Sequence, residues 1–356
     1  MSSTCLIIPR GRNRYPLMPY QSVKTVSCLI LVTLLAACAS VQATSRVHYD
    51  SNPRTQSFID RMVTQHDFDR GRLEKLFRQA ERRDDILELM SKPAEKRLQW
   101  YQYRKIFLTQ SRIDGGVAFW RQHAGALRDA ARVFGVDPQI IIAIIGVETR
   151  YGSNTGRHRV IDALSTLAFD YPARSPFFTS ELEQYLLLGR EEKLDLLATT
   201  GSYAGAMGYS QFIPSSYREY AVDFDGDGKR DLWHSPRDII ASVANYFHLH
   251  GWQPGQPVAV PAQVHTADGK LQAILDLGVE PHTTLGALRK DGISPQRKYP
   301  DDLPAALLRY EQEDAPEYWL GFRNFYVITR YNHSPLYAMA VYQLSEEIRK
   351  AHAQDH

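Results

Sequence analysis

Apolar residues recur at helical spacing through most of the chain. From Thr55 the stripe runs through Phe58, Met62 and Val63, then Leu73, Leu76 and Phe77, then Ile86, Leu87 and Leu89. Leu98 to Phe107 and Val117 to Phe134 continue it with aromatics and arginines, and Trp100, Phe119 and Trp120 read as core. The densest apolar stretch lies between Asp137 and Gly152. Asp137 is a good N-cap, Pro138 fits the first helical position, and Gly152 offers a left-handed stop past Tyr151. Within this helix Ile140, Ile144 and Glu148 share a face, as do Ile141, Ile145 and Glu148. Further helices are expected at Val160 to Phe169, Phe177 to Leu188 and Ile239 to His250.

The texture changes near Gln256. Val258 to Pro261 and Ala306 to Glu311 read as short strands, and Glu317 to Thr329 is expected to supply more. Ser334 to Lys350 returns to helix, and no internal repeat is apparent. The pattern predicts an α+β chain, predominantly α-helical. A helical body spans 55–256, a small α/β insert 257–320, and 321–356 rejoins the body.

Charge and cysteine content change the picture at the N-terminus. Arg10, Arg12, Arg14 and Lys24 lie in residues 1–37, which contain no acid; without them, 38 basic residues face 40 acidic ones. That balance gives no sign of a nucleic-acid binder. The apolar run Val26 to Ala37 is too short to span a membrane and has the make-up of a secretory signal, with translation from Met18 giving one of ordinary length. Leu35-Ala36-Ala37-Cys38 resembles a bacterial lipobox, which predicts lipidation of Cys38 and a polar tether over 38–54; the competing reading is a plain signal peptide cut near Ala37. Ala39, where an aspartate would favour inner-membrane retention, points to the periplasmic side of the outer membrane. Cys5, Cys28 and Cys38 are the three cysteines, so the mature chain would have no disulfide and no thiol nucleophile.

Two local patterns carry chemistry. Glu148 continues an isoleucine face at the negative end of a helix, and both burial and the dipole raise a carboxyl pKa, as a general acid near neutral pH requires. The competing reading turns Glu148 to water or pairs it with Arg150. Asp223, Asp225 and Asp227 followed by Gly228 match positions one, three, five and six of an EF-hand calcium loop, with the Lys229 carbonyl and Asp231 as further ligands. Position twelve departs from the pattern, because His234 stands where a bidentate acid is expected; Asp238 is an alternative ligand, and a solvated Asp/Gly turn is the competing reading. Ser202, Tyr209 and Gln211 lie on a glycine-rich approach, Arg174 follows a proline turn, and Tyr331 to Tyr337 is a polar-aromatic turn. Aromatic faces and forked amides suit a glycan. No nucleophile elbow, P-loop or zinc-like His/Cys cluster is present.

Together, Gly146-Val-Glu-Thr-Arg-Tyr-Gly152, Ala204 to Tyr217, the Asp223 loop, Ser242 to Phe247, His250-Gly-Trp252 and Thr329 to Ser334 resemble the lytic murein transglycosylases of the glycoside hydrolase family 103 type, in order and from about residue 50 to the last helix. The resemblance implies a lysozyme-like catalytic core with a surrounding helical domain and a small β-containing domain. It implies cleavage of the β-1,4 bond between N-acetylmuramic acid and N-acetylglucosamine in peptidoglycan, leaving 1,6-anhydro ends. Glu148 falls on the single catalytic acid. Ser202, Gln211, Arg174, Tyr103, Tyr246, Tyr331, Asn332 and Tyr337 fall on positions lining the glycan cleft, with Ala173 where a second arginine can stand. It implies structural Ca2+ at the Asp223 loop and no catalytic cofactor. The expected setting is a monomer on murein, lipid-anchored at the outer membrane, with cell-wall synthesis proteins as candidate partners. Two rivals stay open: a hydrolase in which Asp162 or Asp170 activates water, and a non-catalytic wall-binding lipoprotein.

Overall fold

The computed structural model describes residues 47–91 and 98–354. The first helices are α1 (Pro53–His66), α2 (Arg70–Phe77) and α3 (Asp84–Ser91), and α1 and α2 start where polar side chains satisfy free backbone donors. Asn52 accepts from the Arg54 amide at 2.9 Å and Asp69 from the Arg72 amide at 2.8 Å. Their stripes, including Phe58, Met62, Leu73, Phe77 and Ile86, share one core cluster with residues of α8 (Val160–Asp170) and α9 (Ser175–Glu191).

A second cluster gathers α4 (Trp100–Phe107), α5 (Gln110–Gln122), α6 (Ala124–Phe134) and α7 (Pro138–Thr149) around the C-terminal α15 (Pro335–Gln354). Every residue of α7 from Ile140 to Val147 is buried. The apolar surface of α7 therefore goes all the way round, rather than forming a face, as befits a helix enclosed by α5, α11 (Pro236–Leu249) and α15. Burial contributes about 1.5–3 kcal/mol per isoleucine, so α7 is a rigid support for what stands at its end.

The helix also ends earlier than the glycine implies. Arg150, Tyr151 and Gly152 all take positive φ, at 51°, 58° and 87°. Two non-glycine residues in that region cost about 1–3 kcal/mol each unless the surroundings hold them. Tyr151 is held: its hydroxyl donates to Arg112 O at 2.7 Å, and its ring fills the space left at Gly115, Gly116 and Gly146.

Between the two clusters, β1 (His158–Arg159) pairs with β2 (Thr200–Gly201), and α10 (Pro214–Tyr220) packs on α9. Past Gln256 come β3 (Ala259–Val264), α12 (Asp268–Leu275), β4 (Thr283–Thr284), α13 (Leu285–Lys290), β5 (Ile293–Pro295), β6 (Pro304–Tyr310) and β7 (Glu317–Gly321). The strands form an antiparallel sheet in the order β4-β6-β7-β3-β5, with Leu308 opposite Trp319 and Val260 opposite Leu320. Leu285, Leu307, Leu320 and Phe322 fill its own small core. The strand signal expected over Glu317 to Thr329 holds only to Gly321; α14 (Arg323–Tyr331) takes the rest. Aromatic and β-branched residues favour strand locally, but Phe325, Val327 and Ile328 are all buried in the α7 cluster, and tertiary packing decides. No single described helix is long and apolar enough to cross a membrane.

Candidate active site

The rigid α7 delivers Glu148, half-buried, at its last turn. Tyr337, in the first turns of α15, donates its hydroxyl to Glu148 Oε1 at 2.5 Å. Burial, and next the Glu148 carboxylate, push the Tyr337 phenol well above its ordinary pKa, so it remains a donor at neutral pH. Tyr331, at the end of α14, is shifted the same way by burial and then by Glu148. Its hydroxyl donates to Ser210 O at 2.6 Å, tying α14 to the 201–212 loop. Tyr246 on α11 donates to Arg330 O at 2.6 Å, and its ring lies 4.7 Å from that of Tyr331. Phe212 closes the aromatic group at 5.8 Å from both rings. Tyr103, buried on α4, contributes to the field acting on the Tyr337 phenol.

The loop is pressed against the end of α7 by close backbone approach. The Thr149 hydroxyl lies 3.2 Å from both Ile145 O and Tyr209 O. A Cβ on Gly152 would come within 1.9 Å of the Tyr209 ring. One on Gly156, at φ 95°, would meet Gly201 O at 2.0 Å, so no side chain fits there. Within the loop the Ser202 hydroxyl accepts from the Ala204 and Ala206 amides at 3.3 and 3.0 Å. Gln211, itself at φ 51°, donates to Gly208 O at 2.9 Å and Thr155 O at 3.2 Å. Asn332 accepts from the Ser334 amide at 3.1 Å. These three side chains shape their turns, and among the described residues the Ser202 hydroxyl proton and the Asn332 amide protons have no hydrogen-bond acceptor.

Glu148, Tyr337, Tyr331, Tyr246 and the Gln211 loop are thus one connected group. Arg174 is not tied to it: its guanidinium lies 4.4 Å over the Phe177 ring, and no hydrogen bond or ion pair joins it to Glu148 among the described residues. Sequence reasoning missed Arg112, which is 7% exposed. It donates to Gly146 O at 3.0 Å, setting a fixed positive charge under the last turn of α7, where helix carbonyls are unsatisfied. Its signal was a cation four and seven residues before Gly116 and Phe119, on the buried stripe of α5.

In the Asp223 loop, carboxylate oxygens of Asp223, Asp225 and Asp227 lie within 4.8 Å of one another, all exposed. None of the three forms an ion pair with a Lys, Arg or His among the described residues. Three like charges converging without a protein cation fit an oxygen-ligated divalent ion. Asp231 is turned to the Trp233 and His234 amides at 2.8 and 2.9 Å and to the His234 ring at 3.1 Å. Asp238 is fully buried, and both its oxygens are engaged by loop amides of Phe224, Asp225 and Asp231. It braces the loop from behind.

The family described as Transglycosylase SLT domain matches residues 50–346. Membrane-bound lytic murein transglycosylase B of Escherichia coli (strain K12) is 45% identical over 315 residues, 86% of this chain and 85% of that protein. The crystal structure of soluble lytic transglycosylase SltB1 from Pseudomonas aeruginosa superposes with a TM-score of 0.79 at 49% identity, covering 84% of this chain and 99% of that one. Escherichia coli Slt35, solved with calcium and with bulgecin A, gives 0.78 at 46% identity over 86% and 95%. SltB3 of Pseudomonas aeruginosa, 31% identical with a TM-score of 0.75 over 83% and 78%, has been solved with a NAG-NAM-pentapeptide. The predominantly helical α+β fold expected from the residues is the fold of these structures. With a family match across most of its length and this level of identity, the chain belongs to the SLT-domain lytic transglycosylases.

Proposed function

We propose that this protein cleaves the β-1,4 bond between N-acetylmuramic acid and N-acetylglucosamine in peptidoglycan without consuming water, with Glu148 acting first as acid and then as base. The observation that carries this is the commitment of the rival acids elsewhere. Asp162 accepts from the Arg159 guanidinium at 2.7 and 2.9 Å and from the Glu81 amide at 2.9 Å, and Asp170 accepts from the Tyr49 hydroxyl at 2.6 Å. Both are held toward the N-terminal helices. A glycosidase usually needs two carboxyls. Here the substrate supplies the second function. The muramic acetamido oxygen bonds to C1 as the C1–O4 bond breaks, and Glu148 protonates the departing O4. The ionised Glu148 then takes the proton of the sugar's 6-hydroxyl, whose oxygen attacks C1 and opens the oxazolinium ring. An intramolecular hydroxyl has a high effective concentration, which lets it outrun water. The Tyr337 hydroxyl on Oε1 holds the carboxyl in one orientation through both proton transfers. Ser202, Gln211, Asn332 and the tyrosines line the path of the glycan, and Arg174 is proposed as an outlying contact to it.

Mass spectrometry of digested murein tests the reaction: muropeptides one water lighter than reducing-end products are expected. A digest holding only reducing ends would instead make this a hydrolase.

The Asp223 loop is proposed to bind Ca2+ in a structural role, through Asp223, Asp225, Asp227 and the Lys229 carbonyl. Anchoring at the periplasmic face of the outer membrane through a lipid on Cys38, with wall-synthesis proteins as neighbours, completes the proposal. Cys38 lies outside the described residues. Radiolabelled palmitate should enter the parent protein and not Cys38→Ala, and equal labelling of both would remove the anchor.

A further inference from the structure

A cavity of about 840 Å³ lies away from Glu148. It lies between the N-terminal end of α7, the faces of β3 and β7, and the C-terminal half of α15. Gln139 and Glu148 are nine residues apart on one helix, which separates this groove from the cleavage site by about 14 Å. Its wall is fixed, because the Tyr342 hydroxyl donates to Ala259 O at 2.8 Å and pins α15 to the sheet.

The charges in the groove divide clearly. Its acids are mostly committed: Glu317 accepts from the Trp100 indole at 3.0 Å, Glu346 pairs with Arg349 at 2.7 Å and Glu347 with Lys350 at 2.7 Å. Asp137 is pushed toward its neutral form by burial and then by Glu346. Two guanidinium groups, Arg104 and Arg297, make no ion pair among the described residues; Arg104 rests over the Trp100 ring at 5.8 Å, and Arg297 is exposed. Half-buried Trp319 lines the same groove, and the side-chain amides of Gln139 and Gln343 have no hydrogen-bond partner among the described residues. Free guanidinium groups recognise carboxylates, an indole face packs flat polar chains, and free amides pair with peptide groups.

We propose that this groove is an exosite for the carboxylate-bearing peptide stems of peptidoglycan, held through Arg104 and Arg297 against Trp319, Gln139 and Gln343. The proposal rests on the murein-cleaving reading above. It makes the enzyme grip a stem while Glu148 works on the glycan, so that strands with intact stems are favoured over bare strands.

The test compares kcat/KM for peptide-bearing murein strands with that for strands stripped of stems by an amidase. Arg297→Glu changes an exposed side chain and leaves the core alone. It should lower the ratio of the two values at least about threefold, as expected for one partly screened ion pair made repulsive. Added salt should lower the parent's ratio toward that of the variant. In a second measurement, free stem tetrapeptide should bind Glu148→Gln protein in calorimetry and fail to bind once Arg297→Glu is added. An unchanged ratio with cleavage intact overturns the exosite. Equal losses on both substrates also overturn it, assigning the groove to sugars. Absence of anhydro products from the parent on both substrates overturns the murein reading and the exosite with it.

Discussion

Glu148→Gln is expected to lower muropeptide release at least about 10⁴-fold while leaving folding nearly unchanged. General acid or base catalysis contributes roughly 10²–10⁴-fold in a single step, and this carboxyl is assigned a role in two. The amide offers no proton to the departing O4 and no base for the 6-hydroxyl. Structurally the change is small. The Gln carbonyl accepts from the Tyr337 hydroxyl as the carboxylate oxygen does at 2.5 Å, and the half-buried site admits a side chain of the same shape. The hydrogen bond is retained, so stability should shift by no more than about 1 kcal/mol. Release of anhydro-muropeptides and thermal melting, measured on the same preparations, separate the two effects. Substantial residual cleavage by a folded variant would remove Glu148 from the chemistry and reopen the hydrolase reading.

That pairing also marks where sequence reasoning runs out. The start of α7 is legible because Asp137 and Pro138 act within one turn of it. What surrounds Glu148 is not, since its phenolic partner is 189 residues away and reaches it only through the packing of α15 on α7. Arg112 was hidden for the same reason: its partner carbonyl at Gly146 lies 34 residues on. Resemblance brought Ser202, Gln211 and Asn332 forward as glycan contacts, but their part in closing their own turns is visible only in three dimensions. The misjudged stretch, α14, failed through composition: Phe325, Tyr326, Val327 and Ile328 look like a strand until the core they fill is known. The helix stop was placed at Gly152, whereas the left-handed turn begins at Arg150 and is held by Tyr151 in a niche left open by Gly146 on the same helix and by Gly115 and Gly116 on α5.

Calcium should raise the melting temperature, and Asp225→Ala should abolish the gain. A ligand bound only by the folded state stabilises by about 2.7 kcal/mol at a hundredfold excess over its dissociation constant, or about 4 °C for a chain of this size. The loop is built for this. Asp223 accepts from the Gly226 and Gly228 amides at 2.7 and 2.8 Å, which curls the chain so that Asp225 and Asp227 converge on the same side. Three exposed carboxylates within 4.8 Å repel one another, and a dication relieves that repulsion. His234 does not supply the missing twelfth ligand; its side chain is 85% exposed and its ring nitrogen is on Asp231. Asp238 is also committed, with both oxygens on loop amides. The site therefore has fewer protein ligands than a full EF-hand, and weak binding follows, with the rise in melting temperature setting in at roughly millimolar Ca2+. Asp225→Ala removes one converging charge and the acceptor of the Ser235 hydroxyl at 2.6 Å, so the metal-free variant should differ little from the metal-free parent while losing its response to calcium. Magnesium, which demands a smaller and more regular shell, should give a smaller shift. Identical melting of the parent with calcium and with chelator would make the three aspartates a solvated turn, braced from behind by Asp238.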